Sequence, residues 1–79
     1  MTDQEIIGCL TTEFSRYYRI PPEQIEQAFK VAKQELNNNS LQAYVATEDV
    51  LVRMFRNESK KVWKITSKTE EAMKKILGK

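Results

Sequence analysis

Apolar side chains recur along the chain in sets whose spacing predicts helices. Ile6, Ile7, Leu10, Phe14, Tyr17 and Tyr18 follow one another at steps of one, three and four residues, which lines them along one side of a helix. Thr2 followed three residues later by Glu5 is the signature of a capping box, so the first helix is expected from about Asp3 to Tyr18. Gly8 and the Thr11-Thr12 pair weaken its intrinsic propensity, and packing of the stripe has to hold it. Ile20-Pro21-Pro22 then breaks the chain, because a residue before proline is driven out of the helical region, while Pro22 suits the first turn of a new helix. That second helix carries Ile25, Ala28, Phe29, Ala32 and Leu36 on one face. Glu23 and Glu26 near its start and Lys30 and Lys33 further along agree with the helix dipole, and Glu26 to Lys30 has the favourable i to i+4 order. Asn37-Asn38-Asn39-Ser40 ends it, since Asn tolerates the left-handed conformation of a helix terminus.

From Leu41 to Thr66 two readings compete. In the favoured one, Thr47-Glu48-Asp49 starts a third helix whose face is Val50, Leu51, Met54 and Phe55, with Arg53 and Arg56 outside. In the other, Val50 to Arg56 is a strand that turns through Asn57-Glu58-Ser59-Lys60 into a second strand, Lys61 to Thr66. Val62-Trp63-Lys64-Ile65-Thr66 is the best strand candidate, and Leu41 to Ala46 is a further candidate to pair with it. Ser67 and Glu70 form a second capping box, after which Ala72, Met73, Ile76 and Leu77 give the last apolar stripe and Gly78 a natural stop.

The expected fold is therefore mainly α: a compact small helical domain of three to four helices, with room for a small two-stranded sheet between residues 41 and 66. Its core is read as Ile6, Leu10, Phe14, Tyr17, Ile25, Phe29, Leu36, Leu51, Phe55, Ile65, Met73 and Ile76. The chain has 79 residues, enough for one domain, and its 41% hydrophobic and 30% charged content excludes both a disordered tail and a membrane span. A domain of this size has a thin core and gains from a partner or a second copy.

Composition removes most catalytic chemistry. There is no histidine, hence no imidazole base, no Ser-His or Cys-His pair and no histidine metal ligand. The one cysteine, Cys9, excludes an intrachain disulfide, and beside the Ile6-to-Leu10 stripe it reads as a buried small thiol. Glu48-Asp49 and Glu70-Glu71 are adjacent acids, read as helix-capping charges in first turns and not as a catalytic dyad or metal site. Neither a metal nor a cofactor is expected, and the protein reads as no enzyme. Asp3 and Glu5 place acid where a secretion signal needs base, so the expected location is cytoplasmic.

Charge carries the most functional content. Residues 1 to 49 hold eight acids and four bases, a net of −4, while residues 50 to 79 hold nine bases and three acids, a net of +6. Arg53, Arg56, Lys60, Lys61, Lys64 and Lys68 crowd into sixteen residues around Trp63, a pattern that suits phosphate contacts beside a stacking ring. The leading expectation is a small nucleic-acid-associated regulator that binds through this basic half. The alternative is an adaptor or inhibitor that docks on a protein partner, or on itself, through complementary acidic and basic ends. Tyr17, Tyr18 and Arg19 supply interface residue types for that second reading.

Overall fold

The computed structural model describes residues 1–16, 18–56 and 65–78, which form four helices. Helix α1 (Asp3–Ser15) starts on the expected capping box: the Glu5 N–H donates to Thr2 Oγ1 and the Thr2 N–H donates to Glu5 Oε1, each at 3.2 Å. It stops at Ser15, short of Tyr18. The Ile20 N–H donates to the Tyr18 carbonyl (2.8 Å) and Ser15 Oγ donates to the Ile20 carbonyl (3.2 Å), so the chain doubles back and buries Ile20. Pro21 disfavours helical backbone at Ile20, so the helix has to end before the two prolines.

Helix α2 (Pro22–Glu35) has proline in its first turn and buries Ile25, Ala28, Phe29 and Ala32, all as the sequence predicts. After it, Asn37 and Asn38 take left-handed φ values of 57° and 60°. Asn39 then returns to extended backbone and caps the next helix, its side chain accepting the Gln42 N–H at 3.0 Å. One run of three asparagines thus closes α2 and opens α3 (Ser40–Phe55).

This corrects the reading of the middle of the chain. The third helix begins at Ser40 and not at Thr47, so Leu41 to Ala46 is helical and Val50 to Phe55 is no strand. The two-stranded sheet is not supported: both segments expected to pair with residues 61–66 are helical, and no strand occurs among the described residues. Thr47, taken as a cap, is buried in mid-helix, where its hydroxyl donates to the Ala43 carbonyl at 2.7 Å. Glu48 and Asp49 are likewise internal to α3 rather than in its first turn. Of the best strand candidate, residues 62–64 lie outside the described residues, while Ile65 and Thr66 lead directly into α4 (Ser67–Ile76). Thr66, one residue before the expected Ser67, is the cap of α4, accepting the Thr69 N–H at 3.1 Å.

Helix α2 is the centre of the packing. It touches α1, α3 and α4, and α1 also packs on α3, whereas α1 and α4 do not approach each other. All four helices feed one apolar cluster. Ala43, Ala46, Val50, Leu51 and Val52 line the inner side of α3, where small side chains let it lie close to α1 and α2. Phe55, Ile65 and Ile76 of the expected core are partly buried against the cluster, and Tyr17 lies outside the described residues. Val50, Leu77, Ala28 and Ala32, already on the predicted apolar faces, join them, as do Ile20, Ala43, Ala46 and Val52, which the spacing placed in no apolar stripe.

Three helices are joined at their polar edge by Asp3. Its Oδ1 accepts from Ser40 Oγ at 2.7 Å, at the start of α3, and its Oδ2 pairs with Lys33 Nζ of α2. Hydrogen bonds from Lys33 and then Ser40 hold the Asp3 carboxyl below its usual range. A carboxyl depressed in the folded state stabilises above its unfolded pKa, about 3.9, and that contribution is lost as pH falls through the lower folded value. Asp3→Asn is therefore expected to lower the melting temperature at neutral pH and to flatten its fall below about pH 4. Thermal melts of both proteins from pH 7 to pH 2.5 or so check this, and parallel acid limbs would show that Asp3 contributes nothing to the acid sensitivity.

Candidate functional site

The expected nucleic-acid residues come apart in the fold. Arg53 lies in the last turn of α3, four residues after Asp49, whose side chain is 1% exposed. A carboxylate so far from water needs a cation, and Arg53 Nη2 stands 2.8 Å from Asp49 Oδ2. The other arm of the guanidinium, Nη1, is 3.2 Å from Glu70 Oε1 on α4, and Lys74 Nζ is 3.4 Å from the same oxygen. Arg53 is thus a fork that ties α3 to α4, and a phosphate would have to compete with two carboxylates for it.

Arg56 behaves differently. It is exposed at the end of α3, with its guanidinium carbon 5.6 Å from the centre of the Phe14 ring. Lys68 is exposed in the first turn of α4 and, with Lys75, enters no ion pair among the described residues. Lys60, Lys61, Trp63 and Lys64 lie outside the described residues. Of the expected partner-binding cluster, Tyr17 also lies outside them, Arg19 is exposed, and Tyr18 is half-buried with its ring 4.8 Å from that of Phe55. Tyr18 closes the rim of the core, and its ring is already in use.

A surface that sequence reasoning missed runs along the flank of α1. Glu5, Cys9, Thr12 and Arg16 line an open groove of about 750 Å³, with Arg56 at the Arg16 end and Met1 at the other. Gly8 and Glu13 complete its walls. Cys9, expected in the core, is exposed here, because the buried stripe is Ile6, Leu10 and Phe14 and Cys9 sits to one side of it. Tyr44 of α3 stands nearby: burial first, then the charges of Cys9, Glu48 and Glu13, push its phenol above the usual range. The sequence signal for it is the polar flank itself, an acid at Glu5 and a base at Arg16 with Gly8, Cys9 and Thr12 as short side chains between them and Glu13 in the wall. A smaller cleft of about 270 Å³ surrounds the Asp3–Lys33 pair and is occupied by that contact.

Among the described residues no three His, Cys, Asp or Glu side chains gather to hold a metal ion, and no helix is long and apolar enough to cross a membrane. Comparisons with protein families, with characterised proteins and with solved structures find no match.

The Arg53 fork is testable by stability. Arg53→Ala removes the guanidinium that meets the buried Asp49 and is expected to cost about 2 kcal/mol, which is on the order of 10 °C in melting temperature for a domain this small. Arg53→Lys keeps the charge but not the two-armed geometry and should recover only part of that loss. Thermal and urea unfolding of the three proteins provide the comparison; equal stability of all three would remove the bridging role.

Proposed function

We propose that the protein is a small non-enzymatic docking module, an adaptor or inhibitor whose working surface is the groove along α1. One observation carries this reading: the groove is open, runs most of the length of a helix, and sets the Glu5 carboxylate, beside the Met1 amine, at one end and Arg16 with Arg56 at the other, with Glu13 in the wall between. Short side chains at its middle admit another backbone, and charged ends fix the direction in which a partner helix enters. The lack of histidine supports a binding role over a catalytic one.

A second reading, contact with nucleic acid, is favoured by the exposure of Arg56 and Lys68 together with the basic residues Lys60, Lys61 and Lys64 that lie between them in the chain. It is the weaker of the two, since Arg53 is already held by Asp49 and Glu70.

Affinity capture from nuclease-treated lysate with the wild type and with Thr12→Trp separates them. Thr12 is exposed, so the indole fills the groove without entering the core. Docking predicts a protein partner retained by the wild type and lost with Thr12→Trp. Material that is instead nucleic acid, is released by salt, ignores Thr12→Trp and disappears when Lys60, Lys61 and Lys64 are changed together to Glu would replace docking with the second reading.

A further inference from the structure

Glu5, Cys9, Thr12 and Arg16 are spaced i, i+4, i+7 and i+11, so they form one straight row along the groove. The order is acid, short, short, base. Laid antiparallel against a second copy, this row is its own complement: Glu5 meets the partner's Arg16, Cys9 meets the partner's Thr12, and a twofold axis between them repeats both contacts. Few charge orders have this property, and one that does specifies both the orientation and the register of pairing.

Gly8, next to the row, points the same way. Glycine is the least favourable helix-interior residue after proline, and among the described residues nothing requires it there, because a Cβ on Gly8 would meet none of their atoms within 4 Å. The missing side chain is of use to a backbone arriving from outside. The cap uses only Oε1 of Glu5, which leaves Oε2 for an arginine, and Arg56 adds a second positive charge beside Arg16. Glu13, across from the partner's Gly8 in this register, is engaged within its own chain.

We propose that the occupant of the groove is a second copy of this chain, α1 against α1, antiparallel, with Glu5 paired to the partner's Arg16. The inference rests on the docking reading and names its partner. A single pair of helices of this length gives an interface at the small end of the specific range, so the dimer is weak and depends on concentration.

The test is sedimentation of the full chain over roughly 10 µM to 1 mM, a span that reveals a weak dimer by mass action. The wild type is expected to shift toward twice its monomer mass as concentration rises. Arg16→Glu and Glu5→Lys, each placing like charges at both symmetric contacts, are expected to remain monomeric alone and to form a heterodimer when mixed, because each then supplies what the other lacks. Gly8→Ala is expected to raise the melting temperature of the monomer while weakening self-association by on the order of tenfold, a split that a purely structural glycine would not show. Circular dichroism confirms that each variant is folded, which matters most for Glu5→Lys because it also removes the capping box. Cys9 offers a direct readout in the native sequence: two Cys9 residues in this register are offset by about 4.5 Å along the helix, within reach of a short bismaleimide, so cross-linked dimer is expected from the wild type and little from Arg16→Glu.

A wild type that stays monomeric throughout, or variants that remain monomeric on mixing, overturns the self-pairing. If capture still yields a protein partner sensitive to Thr12→Trp, docking stands with a different occupant; if it does not, docking falls as well.

Discussion

A carboxylate buried in the middle of a helix constrains much of this small structure. Asp49 faces inward from α3 with almost no access to water, and a charge in that position is tolerated only when a cation meets it. Arg53, one turn later on the same helix, does so, and its second arm reaches across to Glu70. The consequence spreads in two directions. The pair needs unbroken helical spacing from Asp49 to Arg53, which a strand over Val50 to Arg56 would destroy, since residues four apart in a strand lie too far apart for the contact. The bridge to Glu70 then adds a polar link between α3 and α4, two helices whose mutual packing is slight compared with that of each on α2.

The sequence was most legible where a backbone group needed a particular partner. Thr2 with Glu5, Pro22 in a first turn and the left-handed asparagines each answer a stereochemical demand that only a few residue types satisfy, and each is found where the spacing places it. The middle of the chain misled for the same reason. Asn37-Asn38-Asn39 signals a helix end so strongly that its other role, as the cap of the next helix, is hidden within it. Thr47-Glu48-Asp49 has the composition of a helix start but serves an interior: the threonine satisfies its hydroxyl on the Ala43 carbonyl, and the aspartate satisfies its charge on Arg53. Alanines at 43 and 46 pack tightly without contributing much to an apolar pattern.

The candidate site was harder to see. A cluster of bases in sequence is not a cluster of available bases, because a guanidinium already held by two carboxylates offers little to a phosphate, and that distinction exists only in three dimensions. The groove, conversely, is made of residues that look unremarkable singly. Cys9, Thr12 and Gly8 acquire meaning only as the narrow middle of a surface with Glu5 at one end and Arg16 at the other. The division between an acidic first half and a basic second half survives folding in part: Lys33, Arg53 and Lys74 are drawn into pairs with Asp3, Asp49 and Glu70, while Arg16, Arg19, Arg56 and Lys68 remain on the surface.

The packing of α4 onto α2 sets the order in which the fold can be completed. Helices α1, α2 and α3 are neighbours in sequence and can meet through short connections, whereas α4 must return over more than thirty residues to cover α2. During synthesis, therefore, α2 is made early and one of its apolar sides stays uncovered until the residues of α4 have emerged. For that interval the nascent chain carries an exposed apolar surface, and the rate at which α4 is delivered sets how long that surface is open to misassociation.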